Sequence, residues 1–473
     1  MADLLKLKNN LESQEIDLIS GTYVLRHGSW ATGTPQPSSD YESVPFGAHP
    51  VFQNYLTQTE TMDLIAQDTT HSTITAAEQD LKVVLDSARL FHQHPLWTVY
   101  SATSGTEPWF LHWNIDGETE KRCLLYEGSL AGINEQCAGP FISSDVSLLR
   151  MAFTRHPFWE PIRSASTSVS QASVSAMGGT KTISSVDGDV WARISSTSLY
   201  GAHSGTSIYR TWAGIREEMA GLTNFEPVWQ LENAIKAGGA VNSSARWDHT
   251  GTAHVRVAAV QSSMTLHIEF SVNDMCAAAG HADYAHQIGE YLVLCRCAVD
   301  TGTVGLQMRY GYDLGSMVPY EEVFVSNADW RLIELGNIVI PPNGGETLNI
   351  TSNYARYSEI QIFAEQVEGV SVLDLDCLVL IPRHHMWTAE GGGIVTDSTH
   401  ANIVETTVND KYGCYGTGGS SAPRFNLSYS LKDWYLPTGN SIIVVAGERY
   451  SQHASSDSMG LQMYYYPRWG MYR

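Results

Sequence analysis

The sequence predicts a mainly β protein that begins with an α+β domain and continues as β-sandwiches. The 473 residues include 23 Tyr, 13 Trp and 40 Gly, which are typical of strands and of the turns between them. Only the segment 75–93 has the apolar spacing of an amphipathic helix. From 241 to 383, alternating apolar segments recur with turn residues between them, which indicates an all-β domain.

The first predicted domain, residues 1–162, is organised around the helix 75–93. Thr75 and Glu78 have the spacing of a capping box, so we expect the helix to start there, and Pro95 to follow its end. An amphipathic helix must bury its apolar stripe, and predicted strands supply the sheet for it. These strands are 55–65, 96–101, 109–114, 122–129 and 146–155. The proline-rich segment 33–50 is predicted to be a long polar loop.

The last strand of this domain runs into two prolines that bracket an aromatic pair. Proline has no N–H for a strand ladder and restricts the residue before it, so the strand should end at His156. We expect the exit from the first domain to be anchored by Pro157, Phe158, Trp159 and Pro161. Replacing Trp159 with Ala should then loosen the following sandwiches and leave 1–155 folded.

The rest of the chain is predicted to form two further β units. The Ser- and Thr-rich segment 163–200 is interpreted as a linker that merges into an edge strand. About eight strands are predicted within 241–383, the number that a jelly roll needs. They are 254–260, 264–270, 291–298, 303–312, 330–340, 347–350, 359–365 and 370–381. More strands are predicted between 384 and 473.

Four aromatic residues of the predicted jelly roll form a candidate carbohydrate site. Tyr310, Tyr312, Tyr320 and Trp330 lie near strand ends and in one loop, and polar side chains are close in sequence. Aromatic rings can stack on the C–H faces of sugars while polar groups bind the hydroxyls. The alternative is that these rings fill the core of the sandwich, which is the more frequent fate of any single ring.

Charge and composition exclude several functions. The net charge of −22 disfavours binding to nucleic acid and to anionic membranes, both of which need clustered Lys and Arg. No run of 18 apolar residues occurs, so membrane insertion is not expected. The seven cysteines are scattered without zinc spacing, which favours reduced thiols in a protein made in a cytoplasm.

Motifs of known catalytic chemistry are also missing from the sequence. It has no Walker A loop, no nucleophile elbow and no metalloprotease helix motif, so we expect neither an enzyme nor a bound cofactor or metal. A glycosidase would need only two suitably spaced carboxylates, and their separation in space cannot be read from a sequence. A glycan-degrading enzyme therefore stays open as an alternative.

Short sequence blocks resemble one known family. They are 60–64 ahead of the helix 75–93, 108–111, 122–125, 154–160, 214–216, 225–229, 436–440 and 466–469. Together they resemble the distal tail proteins of long-tailed, siphovirus-like bacteriophages, over about 1–235 and 384–473. This resemblance implies a tail-ring domain at 1–162 and a galectin-like β-sandwich made from 163–240 and 384–473. The segment 241–383 would then be an inserted, carbohydrate-binding-like jelly roll.

The resemblance also implies a function and partners. The chain would form a homo-hexameric ring in the virion, at the tail tip or baseplate, that joins the tail tube to the adhesion apparatus. Its neighbours would be the tail tube, the tail-tip hub and the tape-measure protein, and the jelly roll would bind host-surface carbohydrate. An acidic lumen would repel passing DNA. A capsid or decoration protein built of β-sandwiches is the other alternative.

Overall fold

A computed structural model describes most of the chain. The described residues are 4–9, 13–26, 28–31, 37–44, 47–67, 71–93, 108–114, 119–132, 146–163, 165–169, 174–175, 178–201, 206–218, 225–246, 249, 251–272, 274, 287–311, 317–340, 358–369, 371–383, 385–396, 402–406, 412–416, 426–428, 435–449 and 459–470. Within them the chain is mainly β with one long α-helix, which confirms the predicted fold class.

The first domain is an antiparallel sheet that nearly closes into a barrel, with the helix packed on it. Its elements are β1 (Leu4–Asn9), β2 (Glu15–Asp17), β3 (Tyr23–Leu25), β4 (Pro37–Val44), β5 (Gly47–Tyr55), β6 (Gln58–Gln67), α1 (His71–Gln93), β7 (Trp109–Asn114), β8 (Lys121–Gly132), β9 (Val146–Arg155) and β10 (Glu160–Pro161). The strand order is β2-β1-β7-β8-β9-β6-β3, and β10 pairs with β8. The exit segment after β9 is therefore tied back onto the sheet.

Two expectations for this domain were wrong. The helix begins at His71, so Thr75 lies inside its second turn and the proposed capping box does not start it. The physical reason is that Ile74 is buried in the core, which holds one further turn in helical form. The segment 33–50 is not a loop throughout, because β4 and β5 form a hairpin. The expected strand 96–101 lies outside the described residues.

The second unit joins strands from two distant parts of the sequence. The earlier strands are β11 (Ala165–Val169), β12 (Val174–Ser175), β13 (Gly178–Val186), β14 (Val190–Gly201) and β15 (Thr206–Glu217). The later strands are β28 (His385–Thr396), β29 (Asn402–Thr406), β30 (Tyr412–Gly416), β31 (Asn426–Ser428), β32 (Tyr435–Leu436), β33 (Gly439–Arg449) and β34 (Met459–Arg468). They form two sheets, β11-β34-β14-β29-β30 and β12-β13-β33-β15-β28-β31. The linker interpretation of 163–200 was wrong, since β14 lies in the middle of its sheet between β34 and β29.

Among the described residues, the strands between these two parts pair with one another and not with the strands of the second unit. They are β16 (Val228–Gln230), β17 (Ile235–Lys236), β18 (Ala240–Ser243), β19 (His254–Val257), β20 (Thr265–Ser271), β21 (Gly289–Val299), β22 (Thr303–Gly311), β23 (Val318–Pro319), β24 (Val323–Val325), β25 (Arg331–Ile340), β26 (Glu359–Glu368) and β27 (Leu373–Pro382). The first sheet has the order β18-β19-β27-β21-β25, and β16 pairs with β27. The second sheet has the order β17-β20-β26-β22-β23, and β24 pairs with β22. The long strands cross repeatedly from one sheet to the other, which is the jelly-roll arrangement.

The jelly roll packs directly on the sandwich that carries it. One continuous apolar core contains the jelly-roll strands together with Trp212 of β15 and Val444 of β33. At Gly214 a Cβ would collide with the carbonyl oxygen of Pro382, so only glycine permits this close approach of two strands. Nε1 of Trp212 also donates to Oε1 of Glu334 at 2.8 Å. The contact is thus a packed interface rather than a flexible tether.

Candidate binding sites and the domain junction

Tyr310 and Tyr320 close one side of the jelly roll. Tyr310 is buried in the core, and its hydroxyl donates to the carbonyl oxygen of Val339. The Tyr320 hydroxyl donates to the carbonyl oxygen of Asn337. The Tyr320 ring occupies the place that a side chain at Gly336 would take, where φ is +134°. Both rings therefore connect the second sheet to β25 of the first sheet.

Replacing Tyr320 with Phe is expected to weaken the jelly roll modestly. The change removes the hydrogen bond to Asn337 and leaves the ring, so we expect a loss of about 1 kcal/mol in the free energy of unfolding. Gly336→Ala should cost more, because Ala is strained at this φ and its Cβ would meet the Tyr320 ring. Urea unfolding of both variants measures the two losses. Equal stability of Tyr320→Phe and wild type would contradict this account.

Trp330 lies within a buried charged cluster of the first sheet. The guanidinium carbons of Arg246 and Arg296 lie 5.3 and 4.8 Å from its ring centroid, and His254 meets it edge-on. Arg246 donates through Nε to Oδ2 of Asp374 at 2.9 Å. Trp330 stands just before β25, whereas Tyr310 and Tyr320 bond near the other end of that strand, seven to nine residues along. These three rings therefore lie toward opposite ends of β25, and Tyr312 lies outside the described residues.

The charged cluster holds Arg246 and Trp330 against the first sheet of the jelly roll. Asp374 and Asp376 are buried, and Nη1 of Arg296 donates to Oδ2 of Asp376 at 2.5 Å. Burial lowers the pKa of His254, and the carboxylate of Asp374, 3.2 Å from its Nε2, opposes that effect. Among the described residues, no group of His, Cys, Asp and Glu side chains has the arrangement of a metal site. Guanidinium groups occupy both carboxylates, which suits a structural role.

The predicted exit anchor is well packed, but its aromatic ring belongs to the first domain. Trp159 is fully buried in the core of that domain, 5.7 Å from Trp113 between ring centroids. Phe158 and Pro157 are also buried, and Pro161 lies in β10 opposite Lys121. This burial argues against the expectation that Trp159 can be removed without affecting 1–155. The reason is that β10 folds back onto β8 and carries the ring inward.

Trp159 also contacts the second unit through its backbone. Its N–H donates to the carbonyl oxygen of Trp469 at 2.9 Å, and the N–H of Trp469 donates back at 3.0 Å. Nζ of Lys121 lies 4.2 Å from the centroid of the Trp469 ring. The segment after β34 is thus fixed to the first domain by an isolated β-bridge and a cation–π contact.

Glu160 is the electrostatic centre of this contact. Nε and Nη2 of Arg193 donate to its two carboxylate oxygens at 2.9 and 2.6 Å, and Nε of Arg468 donates to Oε1 at 2.8 Å. All three side chains are buried. Burial alone would raise the pKa of Glu160, but the charges of Arg193 and Arg468 outweigh it and set the pKa at about 2. We call Trp159, Glu160, Arg193, Arg468 and Trp469 the junction.

A second buried ion pair lies next to the junction within the first domain. Nη2 of Arg155 donates to Oε1 of Glu60 at 2.6 Å, and both side chains are buried. The Arg155 guanidinium also lies 5.0 Å from the centroid of Trp159. The ion pair between Arg155 and Glu60 thus helps to hold the Trp159 ring in place.

Sequence reasoning missed the charged members of the junction. Arg193 stands between two buried apolar residues, Ala192 and Ile194, and such an arginine in a buried strand was the available signal. Arg193 follows Glu160 by 33 residues, and Arg468 follows Glu160 by 308 residues. Only the folded structure therefore shows that these three residues meet.

The described cysteines are buried free thiols. Cys123, Cys295, Cys297 and Cys377 are free and buried. Burial raises the pKa of Cys123 to about 12, so this thiol is not a reactive thiolate at neutral pH. No helix in the described part of the chain is long and apolar enough to cross a membrane.

Comparisons with known proteins give structural likeness without sequence matches. No protein-family model and no curated protein sequence matches the chain. It is similar to a chain of the phage P2 baseplate in its activated conformation with Ca, at 8% identity, 98% coverage of both chains and a TM-score of 0.27. It is similar to the Dit protein of phage SPP1, at 8% identity, covering 79% of this chain and 99% of that chain, with a TM-score of 0.26. A chain of infectious bursal disease virus, Gx strain, has 7% identity and a TM-score of 0.15, with 64% and 80% covered. At these values the function has to be inferred from the residues of the chain itself.

Proposed function

We propose that the chain is a structural component of a bacteriophage tail tip that joins the tail tube to the adhesion apparatus. In this proposal residues 1–162 form a homo-hexameric ring, 163–240 and 384–473 form the galectin-like sandwich, and 241–383 is an outward glycan-binding jelly roll. Its partners are the tail tube, the tail-tip hub and the tape-measure protein. The observation that carries the proposal is the junction, where a buried ion triad and a β-bridge join the first domain to the sandwich.

A buried junction of this kind suits a protein that must keep its domains in a fixed relative orientation. Breaking such a triad leaves uncompensated buried charge, so the angle between the units is strongly held. The jelly roll is held in turn by the shared core around Trp212. Ring domain, sandwich and jelly roll therefore form one connected body, which suits an assembly that must present a binding domain in a fixed direction.

The outer side of α1 offers a surface for contact between copies. Val83 and Leu90 are 59% and 47% exposed and lie seven residues apart, on the same side of the helix. The opposite side of the helix packs on the barrel through Leu81 and Leu85. A head-to-tail contact of this kind closes into a ring when its rotation fits six copies.

The mass of the purified chain in solution tests the proposal. Six copies of the 52.1 kDa chain give a particle of about 313 kDa, which should show a six-fold ring with a central pore in negative-stain micrographs. Leu90→Glu should reduce the fraction of rings at least tenfold, because it places charge in the contact. Val241→Glu, at a 55% exposed apolar position on β18 of the jelly roll, is the matched control. A wild-type chain that stays at 52.1 kDa at micromolar concentration would overturn the ring.

A further inference from the structure

One short segment closes the same side of both jelly-roll sheets. β17 comes first in the strand order of the second sheet and pairs with β20, and β18 comes first in that of the first sheet and pairs with β19. The chain crosses from one sheet to the other in the turn 237–239. We call residues 235–243 the strap. If the strap opened, β19 and β20 would each be left with an unpaired edge.

The strap is held mainly by its backbone pairing. Ile235 and Val241 are 63% and 55% exposed, so their side chains add little burial, whereas Ala240 is buried in the core. Nζ of Lys236 donates to the carbonyl oxygen of Ala234 at 2.7 Å, which ties β17 to the chain before it rather than to β20. Since β17 and β18 have only two and four residues, the strap opens at a lower free-energy cost than the long core strands.

His267 of β20 lies beneath the turn of the strap. Its side chain is fully buried, and neither ring nitrogen has a hydrogen-bond partner among the described residues. A Cβ at Gly238 would lie 2.8 Å from Nδ1 of His267, so the turn rests directly on the imidazole. The N–H of Ala237 donates to the carbonyl oxygen of His267 at 3.0 Å. The strap itself therefore keeps water from this ring.

The surroundings of His267 favour its neutral form. Burial lowers the pKa of His267, and the backbone of the strap's turn opposes that effect only in part. The charged side chains of the neighbouring elements are bound elsewhere. Lys236 of β17 donates to backbone carbonyl oxygens, and Glu269 of β20 accepts a hydrogen bond from Gln361 of β26 at 3.3 Å.

A second buried histidine lies beside the other end of the strap. His254 of β19 is paired with Ser243, the last residue of β18, and its side chain is fully buried. Nε2 of His254 lies 3.2 Å from Oδ1 of Asp374. Burial lowers the pKa of His254, Asp374 and Asp376 oppose that effect, and the ring of His249, at 5.6 Å between centroids, adds to it. Each sheet thus has a buried histidine where it meets the strap.

The charged cluster around His254 provides no free carboxylate for a proton on the imidazole. Hydrogen bonds join three pairs among the described residues, which are Arg246 with Asp374, Arg256 with Asp300, and Arg296 with Asp376. The charges of these six side chains cancel while His254 is neutral. A proton on His254 adds a positive charge that buried surroundings cannot hydrate. That charge therefore favours a conformation in which the strap has lifted and water reaches the ring.

We propose that the strap opens in mild acid, because protonation of His254 and His267 favours a conformation in which β17 and β18 have left β20 and β19. The inference goes beyond the proposed function, since it concerns the jelly roll of a single copy. Each histidine has a lowered pKa under the closed strap and its ordinary value of 6.5 when exposed. The contribution of the neutral imidazoles to closure is complete above pH 6.5 and is lost as the pH falls below it.

Hydrogen exchange of the full chain at pH 7.5 and pH 5.0, followed by mass spectrometry, tests this opening. Exchange rates are corrected for the pH dependence of unstructured peptides, and peptides from the strap, β19 and β20 report the opening. The opening constant should rise about fivefold or more in acid. An ordinary pKa of 6.5 limits the rise to about thirtyfold for each imidazole. Peptides from β21, in the middle of the first sheet, should show no such rise.

Glutamine variants separate the two histidines from other acid effects. His254→Gln and His267→Gln should each reduce the acid response of the strap, and the double variant should open equally at both pH values. His112→Gln is the matched control, because His112 is fully buried in the first domain and the same change there should leave the response of the strap as in wild type. In the wild-type chain, slow exchange of the imidazole C2 hydrogen measures the titration of each histidine directly.

Three results would overturn the acid-sensitive strap. They are equal opening of the wild-type strap at pH 7.5 and pH 5.0, an undiminished acid response in the double variant, and titration of both His254 and His267 at or above pH 6.5. If the double variant is open at both pH values, the titration of the two imidazoles in the wild-type chain decides. Values below 6.5 then support the proposal.

Discussion

Replacing Glu160 with Gln is expected to detach the first domain from the sandwich and to destabilise the chain by about 3–5 kcal/mol. The change leaves the guanidinium groups of Arg193 and Arg468 buried without the carboxylate that both of them contact. For a domain of 150–250 residues, such a loss lowers the melting temperature by roughly 6–20 °C. Differential scanning calorimetry measures that shift, and small-angle scattering measures the looser arrangement of the units as a larger radius of gyration.

Glu127→Gln is the matched control for this experiment. Glu127 lies exposed on β8 of the same domain, so the same chemical change there should alter stability by less than about 0.5 kcal/mol. A Glu160→Gln chain with wild-type melting temperature and radius of gyration would show that the triad does not hold the units together.

The same carboxylate predicts a loss of stability in acid. The pKa of Glu160 is about 2 in the folded chain and 4.5 as its ordinary value, so its contribution is complete above pH 4.5 and is lost as the pH falls toward 2. The difference corresponds to about 3 kcal/mol. Urea midpoints of wild type and Glu160→Gln should therefore converge as the pH is lowered from 6 to 2. A gap that stays constant over this range would contradict the assignment.

Replacing Trp159 with Ala is expected to destabilise the first domain itself by about 3–5 kcal/mol, because it leaves a large cavity in a closed core. The ring is fully buried among Trp113 and Arg155, so little room exists for neighbours to collapse into the space. The backbone bridge to Trp469 would lose its support as well. Limited proteolysis should therefore cut within 1–155, which is the opposite of the result expected from the sequence.

Trp191→Ala is the matched control for Trp159→Ala. Trp191 is 50% exposed on β14 and meets His385 edge-on at 4.6 Å, so its loss should cost less than about 1 kcal/mol. If the Trp159→Ala chain resisted cleavage within 1–155 as wild type does, the ring would have no part in the stability of the first domain.

A strand could be predicted from the sequence where apolar and polar residues alternate, because such a strand buries one of its two sides. The expected strands 109–114 and 146–155 match β7 and β9. Buried and more exposed residues alternate in β9 from Leu149 to Arg155, whereas β7 is buried at four successive residues, Trp109 to His112. The same rule, applied strictly, would also have placed Tyr310. It shares a side of β22 with Val304, Leu306 and Met308, so it had to enter the core. The strand β24 has only three residues and gave too short a pattern to be recognised.

The junction could not be predicted, because its chemistry depends on residues that only folding brings together. The prolines indicated that the strand ends at His156, and β9 does end at the preceding residue, Arg155. Glu160 stands between Trp159 and Pro161 in the sequence, and nothing in this local sequence shows the two arginines that contact it. Burial of a single charge is understood only when its partners are known.

The distance along the chain between the members of the junction sets the time at which it can form. Arg468 follows Glu160 by 308 residues, and a ribosome adds about 5–20 residues per second, so roughly 15–60 s pass between their syntheses. During that interval the first domain can fold, and Glu160 can meet only Arg193. The complete junction can therefore form only after Arg468 and Trp469 have been translated. If the proposed ring assembled from chains without a complete junction, the orientation of the sandwich and the jelly roll would not yet be fixed.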